Sequence, residues 1–270
     1  MAQNRNESIE RVSEGISYAK LGKHKDAISF FDKALKADPL NADALYNKGL
    51  SLLQLKKTKD ATACFEKLLE KDPSNILALN NLGNLHAEQQ QFERALGFYE
   101  KALRADPNHV PAIYNKGIAE IGVGKYDDAL KCFNHALSIE PENSAATYFK
   151  GLVLGKMKKH DEAIPCFDKV LAREPDNFEA MFYKGTSLSE LGRHQEAVEL
   201  FDKVLKSSPK NGTVIYSKAR SKADLGQDNE ALELLAQAIL YYGKTIKGWA
   251  LKDPAFNRLR EDVRFKAVVK

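Results

Sequence analysis

The sequence has few cysteines and no long apolar run, and these two absences exclude several classes of protein. Three cysteines in 270 residues are too few for a disulfide framework or a zinc cluster. No stretch approaches the roughly 18 consecutive apolar residues of a membrane-spanning helix, and no apolar segment follows the charged N-terminus as in a secretion signal. We therefore expect a soluble, cytoplasmic protein.

The sequence also lacks a basic excess over most of its length. Lys and Arg total 41 against 37 Asp and Glu, which gives a net charge of +4. Residues 246–270 hold seven basic and three acidic side chains, so residues 1–245 are balanced with 34 of each. Because nucleic-acid affinity depends on neutralising phosphates with basic side chains, this neutral body argues against a nucleic-acid partner.

A repeat of 34 residues organises the chain. Columns of glycine, alanine and large apolar residues keep the same spacing as a column of prolines. The proline column is Pro39, Pro73, Pro107, Pro141, Pro175 and Pro209. With proline at position 32, seven repeats begin at residues 8, 42, 76, 110, 144, 178 and 212 and end at residue 245. A polar lead over residues 1–7 and a C-terminal segment over residues 246–270 remain.

Each repeat has the pattern of two amphipathic helices. In residues 42–75 apolar residues recur at spacings of three and four, as in Ala61, Phe65 and Leu68. A turn near positions 15 to 17 separates the helices, and the proline stops the second helix. Gly at position 8 and Ala at position 20 let the two backbones approach. We predict an all-α chain with fourteen antiparallel helices over residues 8–245 and with these small residues buried.

These columns resemble the tetratricopeptide repeat (TPR) family. The shared motif is a large residue at position 4, Gly at 8, Ala at 20, an aromatic residue at 24, Ala at 27 and Pro at 32. The resemblance covers seven tandem repeats. It implies a right-handed superhelical solenoid of antiparallel helix pairs, whose first helices line a concave groove that usually receives a peptide or a partner protein.

The C-terminal segment has the character of a cap. Repeat 7 departs from the motif at Ala219, Leu235 and Gly243, and the residues that follow include Trp249 and Phe256. The end of a solenoid exposes an apolar face that needs a cover. We therefore interpret residues 246–270 as a C-terminal cap.

The sequence contains no recognisable catalytic or metal-binding constellation. The three cysteines share position 23, where other repeats carry Phe or Leu, which favours a structural role. His24, His160 and His194 share position 17 in the turn, and no Ser/His/Asp set appears. We predict a protein that is not an enzyme and that holds no metal and no cofactor.

The TPR resemblance implies where a partner binds, because the family uses mainly positions 2, 5, 6, 9, 12 and 13 for its concave surface. Position 6 carries Asn47, Asn81 and Asn115 in three consecutive repeats, and an amide can pair with a peptide unit of any sequence. The same column occurs in the TPR part of O-linked N-acetylglucosamine transferases, where it holds extended protein segments. The predicted peptide-binding site comprises Asn47, Asn81, Asn115, Asn80, Asn84, Tyr46, Tyr114, Tyr148, Phe182, Tyr216, Leu50, Ile118 and Leu152.

Several functions are compatible with these patterns. We favour a scaffold that binds an extended segment of an unidentified protein in the concave groove. An acidic chaperone tail is not expected as the partner. The TPR clamps that hold such tails use Lys at position 5, and no repeat of this chain has Lys there. The alternatives are a binder of RNA or another polyanion, through the basic tail and the lysines at position 7, and a scaffold that self-assembles through its convex face or repeat 7. The tyrosines at position 5 can also simply pack between helices.

Overall fold

The computed structural model describes residues 2–270, with side chains from residue 6 onward. All the regular secondary structure of this described part is helical. The chain divides into two units. Unit 1 (Met1–Pro141) contains repeats 1 to 4, and unit 2 (Glu142–Lys270) contains repeats 5 to 7 and the C-terminal segment.

Unit 1 consists of four consecutive helix pairs. The first helix begins at Ala2, so residues 2–7 of the predicted lead are helical, and Met1 lies outside the described residues. The other first helices begin where the 34-residue period places the repeat starts. The helices are α1 (Ala2–Lys20), α2 (His24–Ala37), α3 (Ala42–Gln54), α4 (Thr58–Lys71), α5 (Ile76–Glu88), α6 (Phe92–Ala105), α7 (Val110–Gly122) and α8 (Tyr126–Ile139).

Unit 2 consists of three helix pairs followed by three short helices. The pairs are α9 (Ser144–Lys156) with α10 (His160–Arg173), α11 (Phe178–Glu190) with α12 (His194–Ser207), and α13 (Gly212–Asp224) with α14 (Asp228–Tyr242). The short helices are α15 (Lys244–Ala250), which begins two residues before the predicted C-terminal segment, a 3₁₀ helix (Pro254–Leu259) and α16 (Val263–Val269).

In most repeats the last residue, at position 34, is an asparagine that caps the first helix of the next repeat. Its side-chain oxygen accepts a hydrogen bond of 2.9–3.2 Å from the backbone N–H three residues later. Before α7 His109 takes this place, and its Nδ1 accepts from the Ala112 N–H at 3.2 Å. Because the first turn of a helix leaves its N–H groups without partners in the helix, such caps determine where the helix starts. The capping asparagines are Asn41, Asn75, Asn143, Asn177 and Asn211.

A residue with left-handed backbone conformation follows each first helix. It stands at position 15 of all seven repeats, with φ between 58° and 79°. Four of these residues are glycine, which adopts this conformation without steric cost. The other three are Lys56, Gln90 and Lys158.

The small residues lie where the two helices of a repeat meet, and their predicted burial is confirmed. The alanines at position 20 are fully buried from Ala27 to Ala231, and the glycines at position 8 are buried from Gly15 to Gly185. A Cβ atom added to Gly83 would lie 2.4 Å from Cε1 of Tyr99. The aromatic ring at position 24 therefore occupies the space that a side chain at position 8 would need.

The C-terminal segment packs on repeat 7. Ile246, Phe256, Leu259 and Phe265 are buried in one cluster with apolar residues of α13 and α14. Polar contacts join the same elements, since Arg264 donates from Nη1 to Oδ1 of Asn229 at 2.7 Å. Repeat 7 therefore shares its core with the segment that follows it.

Candidate peptide-binding site

Three asparagines of unit 1 stand at the same position of consecutive first helices and are half-buried. Asn47 donates from Nδ2 to the Asp43 carbonyl at 2.8 Å, and Asn81 donates to the Leu77 carbonyl at the same distance. Within the described residues, no group donates a hydrogen bond to the Oδ1 atoms of Asn47, Asn81 or Asn115. These oxygens can therefore accept backbone N–H groups from another chain.

Two other predicted site residues are engaged inside unit 1. Asn84 accepts a hydrogen bond from Oη of Tyr99 at 2.7 Å, because this repeat carries Tyr where five others carry Phe and a buried hydroxyl needs a partner. Asn80 is only 9% exposed and accepts from Nδ2 of Asn115 at 3.1 Å. Both differ from the expectation of ligand-facing amides, and we remove them from the candidate site.

The aromatic and aliphatic members of the predicted site in unit 1 are half-buried. Tyr46 lies 6.1 Å from Phe65 between ring centroids, and Tyr114 lies 6.0 Å from Phe133. Leu50 and Ile118 are half-buried on the same first helices. These four side chains are therefore partly covered by the protein and partly accessible.

Of the four predicted site residues in unit 2, three are accessible and one is buried. Tyr148, Leu152 and Phe182 are half-buried. Tyr216 is only 6% exposed, and its Oη donates to Oδ2 of Asp253 at 2.7 Å. The C-terminal segment covers this side chain, so we remove Tyr216 from the candidate site as well.

The structure also reveals a cavity of unit 2 that the sequence analysis missed. We call it the aromatic cleft, and its volume is about 1000 Å³. Position 6, which carries Asn in repeats 2 to 4, carries Tyr183 here, and this change was the signal that the sequence offered. The rings that line the cleft are Tyr148, Phe178, Phe182, Tyr183, Tyr241 and Tyr242.

Four of the five lysines at position 7 form ion pairs with acids at position 25 of the preceding repeat. Nζ of Lys48 lies 2.6 Å from Asp32, and Nζ of Lys184 lies 2.6 Å from Asp168. Lys116 with Glu100 and Lys218 with Asp202 repeat the arrangement at 4.0 and 2.6 Å. Since pairing offsets their charge, these four lysines are poor contacts for a polyanion.

One buried acid also lies outside the predicted site. Glu120 is 4% exposed at a position where three other repeats carry Leu, and its Oε2 accepts from Sγ of Cys132 at 3.3 Å. Burial raises the pKa of the Glu120 carboxyl, although Cys132 and Lys116 partly offset this effect. Burial, with a smaller contribution from Glu120, raises the pKa of the Cys132 thiol to about 12. Because only the thiolate is reactive, this cysteine is suited to packing.

The described residues contain no cluster of three or more His, Cys, Asp or Glu side chains arranged to hold a metal ion. Among the same residues, no helix combines the length and the apolar character needed to cross a membrane.

Comparisons with known proteins agree with the repeat pattern. Sequence models described as tetratricopeptide repeat match residues 12–76, 64–97, 82–152, 150–212 and 188–253. A search of curated proteins finds no match to this chain.

Solved structures share the fold over most of the chain. YrrB, described as a TPR protein with an unusual peptide-binding site, is 28% identical and is matched over 70% of this chain and 98% of its own, with a TM-score of 0.59. A tetratricopeptide repeat protein from Parabacteroides merdae is 18% identical over 98% of this chain and 100% of its own, with a TM-score of 0.67. Pseudomonas aeruginosa PilF is 20% identical over 77% and 94%, with a TM-score of 0.68.

Proposed function

This chain belongs to the tetratricopeptide repeat family, whose members are generally non-enzymatic scaffolds for protein interaction, and we propose that it binds an extended segment of a partner protein. The segment lies on the first helices of unit 1, in the groove that the family lines with these helices. Asn47, Asn81 and Asn115 hold its backbone. The peptide-binding site named for YrrB supports this assignment by analogy.

The asparagine column is the observation that carries the proposal. An extended peptide advances about 3.3 Å per residue, and packed helices are about 8 to 10 Å apart. Successive asparagines therefore meet the peptide about once every three residues. Their Oδ1 atoms accept backbone N–H groups, and the accessible parts of Tyr46 and Tyr114 contact apolar side chains between those positions.

The test compares two triple variants in affinity capture from native lysate, followed by crosslink mapping of each captured partner. Replacing Asn47, Asn81 and Asn115 by Ala removes three hydrogen bonds of about 0.5 to 1.5 kcal/mol each. We expect binding to weaken by roughly 1.5 to 4.5 kcal/mol, measured with the purified partner. The control replaces three exposed residues of second helices, Glu66, Glu70 and Asn134.

The helical circular dichroism of both variants should match that of the parent, because the asparagine side chains are only half-buried. If the asparagine variant retains full affinity for every captured partner while the control variant loses it, the partner binds the second helices and the proposal is wrong.

A further inference from the structure

We propose that the aromatic cleft of unit 2 docks a partner segment in which a basic side chain stands next to apolar or aromatic side chains. The inference rests on the proposed function only in taking the partner to be a protein. The aromatic cleft lies in repeats 5 to 7, whereas the asparagine column lies in repeats 2 to 4. The cleft would recognise side chains, whereas the asparagines would hold a peptide backbone.

The aromatic part of the cleft supplies the apolar contacts. Tyr148 lies 6.0 Å from Tyr183 between ring centroids, and Phe182 lies 5.2 Å from Tyr183, so these rings form one continuous surface. Tyr241 and Tyr242, at the end of α14, line the same cleft and are 42% and 55% exposed. Exposed apolar surface concentrated in a cavity marks a binding site for apolar side chains.

A smaller recess joins the aromatic cleft and supplies charge complementarity. Its volume is about 250 Å³, and it shares Tyr148 and Glu179 with the cleft. Phe149 and Glu174 also line it, and none of the described residues that line it is basic. Aromatic faces attract cations, and carboxylates pair with them, so the recess favours Arg or Lys.

The two carboxylates of the recess, Glu174 and Glu179, can each accept further hydrogen bonds from such a cation. Oε2 of Glu179 accepts from Oη of Tyr148 at 3.3 Å, and Oε2 of Glu174 accepts from Nδ2 of Asn177 at 2.8 Å. A carboxylate offers about four acceptor positions on its two oxygens. Lys210 lines the cleft and not the recess, which leaves the negative charge concentrated at the recess.

The experiment selects binders of the full chain from a displayed library of random dodecapeptides. We expect the enriched peptides to carry Arg or Lys within three residues of an aromatic or large aliphatic residue. The most enriched peptide is then synthesised with a fluorescent label, and its Kd is measured by anisotropy. Absence of enrichment, or enrichment without a basic residue, would overturn the inference.

A charge reversal tests the recess. We expect Glu179→Lys to raise the Kd of the labelled peptide at least about tenfold, because it removes a charged hydrogen bond and adds repulsion. A repeated selection with this variant should lose the preference for basic residues. The matched control is Asp176→Lys, which changes an exposed acid in the loop before α11 that lines neither cavity. Equal effects of the two substitutions would contradict the inference.

A second pair of variants tests the aromatic cleft. Replacing Tyr241 and Tyr242 by Ser should raise the Kd about tenfold or more, since each exposed ring loses its contact with the peptide. Leu240→Ser is the matched control, because Leu240 is 77% exposed next to these tyrosines and does not line the cleft. A Kd that is unchanged by the tyrosine substitutions would place the peptide elsewhere.

The asparagine variant of unit 1 separates the two proposals. If the selected peptides bind that variant and the parent equally but lose affinity with Glu179→Lys, the aromatic cleft binds them and the asparagine column does not. If they lose affinity only with the asparagine variant, the inference about the cleft fails while the proposed function stands.

Discussion

At the scale of the single residue, glycine and alanine lie buried where the two helices of a repeat meet. The ring at position 24 fills the space beside each glycine at position 8, as Phe31 does beside Gly15, where an added Cβ would lie 2.4 Å from Cε1 of the ring. The sequence predicted this packing because the same pair of residue types recurs with the same spacing in six repeats. It could not show that Tyr99 recruits Asn84, since that contact follows from one hydroxyl in one repeat.

The first prediction concerns Ala129, which is fully buried between two helices. Replacing it by Leu overpacks this crossing and should lower the free energy of unfolding by roughly 1 to 3 kcal/mol. A denaturant titration measures the change, and a neutral result would count against the helix register described above.

The second prediction concerns the pH dependence produced by Glu120. Burial raises the pKa of its carboxyl in the folded state above the ordinary value of 4.5, so the folded state binds this proton more tightly than the unfolded state. The ionised carboxyl therefore costs stability above the folded pKa, and the cost disappears as the pH falls below the unfolded pKa.

Glu120→Gln cannot ionise but keeps a carbonyl acceptor for the Cys132 thiol. We expect its free energy of unfolding to exceed that of the parent at neutral pH and to converge with it at about pH 4. Urea titrations across this range provide the measurement. A difference that did not change with pH would show that ionisation is not its cause.

At the scale of the element, the turn between the two helices of repeat 2 contains a strained backbone conformation. Lys56 adopts a left-handed conformation with φ of 58°, where Gly124 of repeat 4 has φ of 78°. Residues other than Gly, Asn and Asp rarely adopt this backbone conformation, because it costs them about 1 to 2 kcal/mol. The sequence located this turn by its glycines, but it did not reveal that lysine holds the same conformation in two other repeats.

The third prediction follows from this turn. Lys56→Gly should raise the free energy of unfolding by roughly 1 kcal/mol, because the relief of strain exceeds the added entropy of the unfolded chain. The converse variant, Gly124→Ala, should lower it. Thermal unfolding of both variants gives the signs, and a loss of stability in Lys56→Gly would refute the argument from strain.

At the scale of the whole molecule, the aromatic cleft was the feature least accessible to sequence analysis. Tyr241 and Tyr242 end a second helix, whereas Phe182 lies in a first helix of the preceding repeat. Comparing the same position in successive repeats cannot show that residues at different positions of different helices lie close together. The same limit applies to Tyr216, whose position in the first-helix column gave no sign that the C-terminal segment would cover it.

The fourth prediction concerns the C-terminal segment, which we expect to act as a cap. Removing residues 250–270 should leave the repeats helical but lower the melting temperature and the solubility. The deletion removes Phe256, Leu259 and Phe265, and each fully buried large side chain contributes about 1.5 to 3 kcal/mol. Circular dichroism and light scattering test this expectation. Unchanged melting and solubility would mean that the segment is a free arm.

The ion pairs between lysines and acids of neighbouring repeats affect how a repeat can be lost or gained during evolution. Lys218 of repeat 7 pairs with Asp202 of repeat 6, and Lys184 of repeat 6 pairs with Asp168 of repeat 5. Deletion of residues 178–211 would bring Lys218 to Asp168 and would leave Asn177 to cap α13. An unequal recombination in register can therefore delete or duplicate repeat 6 and regenerate both contacts at the new junction, so that the repeat number can change at this place without new compensating mutations.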